Sequence, residues 1–238
     1  MLIELIRSNM DIQLKLFIAL IMLFALTLSF SIHEFMHAFT ADWLGDPTPR
    51  SMGRLTLNPL AHMDPMGTVL LLVAGFGWGK PVVYNPRKLN RFKSYRGMNI
   101  MVHLAGVTGN FVLALICSII NVFLVTLLDV NQPAVYALCQ VFSYTAVFSL
   151  MLMAFNLLPI PPLDGFHVLE ELMPLKLKYS EGYKKFQRFA PLILMIVFVL
   201  SASGQIPILG SVIDVIQFPF AWVINTICNG LVRLLSGI

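Results

Sequence analysis

Long apolar runs separated by short polar or basic stretches dominate this chain. The first covers residues 14–41, enough to cross ~30 Å of hydrocarbon at ~1.5 Å per residue. Residues 98–128 and 133–158 are each long enough to do the same. After a polar, basic stretch at 159–189 come two last apolar runs, 190–201 and 206–227, with a Gly-Gln-Ile-Pro break at their boundary. Residues 66–77 are apolar but only 12 in number, too short to span and suited to a re-entrant segment. The pattern predicts an all-α polytopic membrane protein with about five to six transmembrane helices.

The polar stretches add detail. Residues 42–65 are rich in Pro and Gly and read as loop, with a short strand at 54–57. Pro81-Val82-Val83-Tyr84 reads either as an edge strand or as a plain turn. Together these predict a small β element. Residues 1–14 mix apolar positions with Glu4, Arg7 and Asp11, the character of a short interfacial helix. The chain therefore divides into an interfacial segment (1–14), a transmembrane core (15–165, including the irregular region 42–97), and an amphipathic connector with C-terminal helices (166–238).

Composition narrows the class. Of 238 residues, 58% are hydrophobic and 12% charged, about half the usual charged share of soluble domains. Disorder requires the opposite balance, and a soluble globule of this size would have to expose much of its apolar content. The lipid bilayer is the implied solvent. The net charge of +4 sits in loops between apolar runs, which points to membrane orientation rather than to nucleic acid. Cys117, Cys139 and Cys228 lie inside apolar runs with no CxxC pair, and read as small buried hydrophobes.

Charge alone does not orient the chain. Whether or not residues 66–77 cross, 14 of the 16 Lys and Arg fall on one side.

His33-Glu34-Phe35-Met36-His37 supplies the candidate chemistry. About 0.002 matches to such a motif are expected by chance at this His and Glu content. Histidines at i and i+4 share a helix face, with Cβ atoms ~6 Å apart, so both rings can reach one Zn²⁺. Glu34 can reach a water at such an ion without ligating it, as a general base does. The competing reading is a polar cluster that braces helices. Ionisable groups inside an apolar span are costly and usually functional.

A third ligand is needed. Asp164 is the best candidate, because it follows a Pro-rich break at the end of a span and precedes Gly165, which lets the chain approach its neighbours. The alternative for Asp164 is a helix N-cap. His167 is a rival ligand; His62, Asp64 and His103 are weaker ones. If Asp164 meets the histidines, the C-terminal ends of the first and third spans share a side. Residues 42–97 then stay on that side, 66–77 is re-entrant, and the basic loops make the side cytoplasmic.

These residues resemble the site-2 protease (M50) family of intramembrane zinc metalloproteases, in its short prokaryotic form without PDZ or CBS domains. HEFMH at 33–37 is similar to the family's zinc motif and NLLPIPPLDG at 156–165 to its second motif. GRLTLNPLAHMDPMGT at 53–68 and GWGKPVVYNP at 77–86 resemble the linking segments. LAGVTGN at 104–110 resembles the family's helix motif, with Val107 in place of its usual Pro.

The resemblance implies one Zn²⁺ per chain held by His33, His37 and Asp164, with Glu34 as general base. It implies that Asn156 and Asn110 are polar groups near the bound peptide, and that three spanning helices form the core. The implied activity is hydrolysis of peptide bonds in or near the transmembrane segment of a single-span membrane protein substrate. It implies a multi-pass cell-membrane location, with the active site near the cytoplasmic side. Two other classes compete: a zinc-binding transporter or inactive relative, and a prenyl-protein protease with Glu170 or Glu171 as third ligand. A transporter needs ionisable residues along a path through the bilayer, whereas here they gather toward one side. Small and polar residues at 105, 106, 109 and 110 read chiefly as close helix packing.

Overall fold

The computed structural model describes residues 10–67, 79–202 and 208–237. Its helices are α1 (Ile12–Trp43), α2 (Thr48–Ser51), α3 (Pro59–His62), α4 (Tyr95–Leu127), α5 (Pro133–Asn156), α6 (Asp164–Leu172), α7 (Leu175–Lys178), α8 (Glu181–Ala202) and α9 (Ile208–Ser236). The termini follow local chemistry. The Asp11 side chain accepts from Gln13 N–H at the start of α1, and Ser94 accepts from Gly97 N–H at the start of α4. Pro133 opens α5, where its missing N–H is not needed.

Among the described residues, four helices are long and apolar enough to cross a membrane: α1, α4, α5 and α9. The expectation of five to six is corrected at α8. Its first half carries Glu181, Lys184, Lys185 and Arg188, which leaves about 14 apolar residues, or ~21 Å of helix. The re-entrant reading of 66–77 falls almost wholly outside the described residues. Residues 42–65 are not simply loop, since they contain α2 and α3.

The β element also needs correction. Among the described residues no strand forms at 54–57 or at 81–84; a single antiparallel bridge joins Met63 to Gly79. The region is held by other contacts. Arg54 donates to the Ala61 carbonyl, and Lys80 N–H donates to the His62 carbonyl at 2.8 Å.

Helices α1, α4 and α5 pack against one another as a three-helix core. Helix α6 leans on α4, and α9 covers α4 and α5. Helix α1 shows why this is a core in lipid. Leu16, Leu20 and Phe24 form an exposed apolar stripe, while Ile18, Met22, Ala25 and Ser29 face inward. Ile18, Met22 and Ala25 pack on Phe148 of α5. One turn on, Ser29 Oγ lies 2.8 Å from Ser149 Oγ, a polar link of a type that averages ~0.6 kcal/mol between membrane helices. The Pro-rich break after α5 is sealed below by Leu158 and Leu163 against Leu194 and Leu209. Val107 is buried in an unbroken α4.

Candidate metal centre

The last turns of α1 carry His33 and His37 into the core, and both are buried. Their Nε2 atoms lie 3.0 Å apart. The break after α5 turns the chain back so that Asp164, first residue of α6, faces them. Its Oδ2 is 3.1 Å from His33 Nε2 and 3.2 Å from His37 Nε2. Asp164 is not an N-cap: Leu163 holds that position, with no side-chain cap.

Three ligand atoms thus form a near-equilateral triangle. Tetrahedral zinc with bonds of ~2.0–2.1 Å requires ligand atoms ~3.3 Å apart. Asp164 Oδ2 is buried and makes no aligned hydrogen bond, although both rings are within reach. Two imidazole nitrogens and an orphaned carboxylate oxygen fit a divalent cation of zinc's type. Among the described residues this is the group of His, Cys, Asp and Glu side chains able to hold an ion.

Neighbouring elements shape the triangle. His37 Nδ1 donates to the Val102 carbonyl of α4 at 2.7 Å. A carbonyl can only accept, so the ring proton sits on Nδ1 and Nε2 presents its lone pair to the ion. Gly106 of α4 lies against both rings; a Cβ there would overlap His37 Nε2 and the His33 ring. Gly165 lets α6 seat on the end of α5, because a Cβ would strike the Leu157 carbonyl.

Glu34, next to the first of these histidines, is anchored by the loop before α4. Its Oε2 accepts from Val82 N–H at 2.9 Å. Two residues on, the Tyr84 hydroxyl ties this loop to α4: it lies 3.0 Å from His103 Nε2 and donates to Asn99 Oδ1 at 3.4 Å. Asn99 in turn donates to Glu171 of α6 at 3.1 Å. Burial, with the Glu171 charge nearby, pushes the Tyr84 phenol well above its ordinary pKa. Residues 81–84 therefore set the Glu34 carboxylate rather than edge a sheet.

A cavity of about 500 Å³ opens beside Glu34 and His33. Leu26 and Phe30 of α1 and Leu152 and Phe155 of α5 line it, together with Asn156. Asn156 Nδ2 donates to the Leu152 carbonyl at 2.9 Å. Asn110 is placed differently. It is fully buried in α4, with its amide 3.4 Å from His33 Nδ1, and it is not itself among the residues lining the cavity.

The rival ligands lie elsewhere. His167 stacks on His103, ring centroids 4.8 Å apart. His62 is buried against the Thr56 carbonyl, and Asp64 accepts from Gly67 N–H. Glu170 takes bonds from Tyr183 and Gln187, and Glu171 from Asn99. Neither glutamate joins the histidine pair. Sequence reasoning missed Val82 and Val102 because they act through backbone atoms, which leave no side-chain signal. Gly106 did leave one, a small residue beside the zinc motif's helix, but packing explained it equally well.

Comparison with known proteins agrees with this geometry. The family model for peptidase family M50 matches residues 21–201. The chain is 42% identical over 167 residues to "Putative zinc metalloprotease YwhC" of Bacillus subtilis (strain 168), covering 66% of this chain and 73% of that protein. It is 34% identical over 149 residues to "Putative zinc metalloprotease Rip2" of Mycolicibacterium smegmatis, with 60% and 53% covered. Against the Mycobacterium tuberculosis (strain H37Rv) protein of the same name it is 31% identical over 176 residues, with 72% and 63% covered. The match thus spans little more than half to about two thirds of the Rip2 proteins. No solved structure was found to match. With a family match across most of its length, and the HEFMH and NLLPIPPLDG segments brought to one point, this chain belongs to peptidase family M50.

Proposed function

We propose that this protein is a zinc-dependent intramembrane endopeptidase of the site-2 protease type, which cuts single-span membrane proteins in or near their transmembrane segments. The observation that carries the reading is the triangle of His33 Nε2, His37 Nε2 and Asp164 Oδ2 beside a largely apolar cavity whose lining includes His33 and Glu34. The names of the relatives supply zinc as the metal.

The chain's own groups divide the work. Bound zinc, held by His33, His37 and Asp164, supplies Lewis acidity that acidifies water and polarises a carbonyl. The apolar walls from Leu26, Phe30, Leu152 and Phe155 accept a segment arriving from lipid and exclude bulk water from the reacting carbonyl. Glu34 accepts a proton from the attacking water as its oxygen bonds to the scissile carbonyl carbon. It then returns that proton to the departing amine as the C–N bond breaks. The Val82 N–H on Glu34 Oε2 holds the carboxylate in place. Asn156 puts an amide beside the reacting groups, suited to a developing oxyanion.

Comparative proteomics of membranes holding wild type or Glu34→Gln tests the function. One or more single-span proteins should accumulate uncut in the variant. Identical membrane proteomes would reject an intramembrane protease.

The reading also places the centre toward the cytoplasmic side of a multi-pass cell-membrane protein, because the basic loops flank it. Single cysteines at positions 50 and 90 should both react with an impermeant thiol reagent only from the cytoplasmic side. Labelling from opposite sides would refute that orientation.

A further inference from the structure

We infer that Asn110 is a positioning residue of the metal centre: its side-chain oxygen accepts from His33 Nδ1–H and so turns His33 Nε2 toward the ion. This rests on the reading of His33, His37 and Asp164 as metal ligands.

Three observations carry it. Asn110 is fully buried in α4, and its carboxamide meets His33 Nδ1 at 3.4 Å. Its Oδ1 is buried with no hydrogen-bond partner. The third is the match to the neighbouring ring, where His37 Nδ1 donates to the Val102 carbonyl of the same helix.

The chemistry of His33 decides which amide atom belongs there. His33 Nε2 lies 3.0 Å from His37 Nε2 and 3.1 Å from Asp164 Oδ2, and to ligate it must be bare. The ring proton then sits on Nδ1, which needs an acceptor. An amide N–H against Nδ1 would demand the opposite tautomer, with a proton on Nε2 aimed into the metal position. A half-turn of the carboxamide brings the orphaned oxygen onto Nδ1, which satisfies both groups and frees Nε2. Val102, Gly106 and Asn110 are spaced i, i+4, i+8 and share one face of α4. On that face a carbonyl fixes one ring and an amide oxygen the other, while the glycine between them leaves room for both. Helix α4 contributes no ligand, yet it sets both ligand tautomers.

The test is zinc affinity of the purified full chain, measured by chelator competition on wild type, Asn110→Asp, Asn110→Leu and His33→Ala. Outer partners of metal-bound histidines typically account for 10–100-fold in affinity. Asn110→Asp keeps an acceptor and loses the donor, so it should bind zinc within about threefold of wild type or more tightly. Asn110→Leu should bind about 10–100-fold more weakly. Thermal unfolding in excess chelator checks that the Leu variant is folded. If it is not, Asn110→Asp decides alone: a tenfold or greater loss there means that the donor matters and overturns the proposal. Wild-type affinity in a folded Asn110→Leu overturns it as well. Failure of the underlying metal reading looks different, because wild type would then hold zinc no better than His33→Ala.

Discussion

Replacing Glu34 with Gln is expected to slow cleavage of a membrane-embedded substrate by about 10²–10⁴-fold, the usual contribution of a positioned general base, while zinc content stays at the wild-type level. Gln has the same length and its amide oxygen can still accept from Val82 N–H, so the bond that holds residue 34 in place survives. It cannot take up a proton. Glu34 lies outside the triangle of ligand atoms, so the metal should be retained. The substitution therefore separates proton transfer from metal binding. The check is a cleavage time course on reconstituted protein with zinc measured on the same sample. A variant that cuts at more than a tenth of the wild-type rate would mean that another group moves the proton.

That separation was legible before any coordinates, because its parts are side chains. The i, i+4 histidines mark themselves by spacing, and Asp164 by its place after a Pro-rich break. Each of the four membrane-length helices falls close to its expected apolar run, since a stretch of ~20 apolar residues has few other solutions in lipid. The losses came where backbone or tertiary context decides. Val82-Val83 has strand-like composition, yet strand formation needs a partner edge, and here the Val82 N–H is taken by Glu34. The prolines and glycines of residues 42–65 predict loop. Pro59 follows Asn58, whose side chain accepts from Leu60 N–H and opens α3; proline at a first helical position starts a turn as readily as it ends one. Helix α8 shows the reverse case, because the apolar run at 190–201 continues a helix whose first half is charged. Asn110 was visible as a polar residue in an apolar helix, but whether it faced the peptide or a ligand depended on the rotation of α4 against α1.

Removing the carboxylate should do what removing the base does not. Asp164→Ala is expected to weaken zinc binding by more than ~100-fold, beyond the 10–100-fold typical of outer partners, and to abolish cleavage as a consequence. Two neutral imidazoles would remain, without the one anionic ligand and one vertex short of the three usual at a catalytic zinc. Among the described residues, the rival ligands are held elsewhere. His167 is stacked on His103, while Glu170 and Glu171 are committed to Tyr183 and Asn99. Helix α6 should persist, because its N-cap is Leu163 and the Asp164 side chain caps nothing. The metal-free variant should then match metal-free wild type in helical content by circular dichroism. Chelator competition reads the affinity. Zinc held within tenfold of wild type by Asp164→Ala would remove the carboxylate from the ligand set, and with it the reason for the C-terminal ends of α1 and α5 to meet at one point.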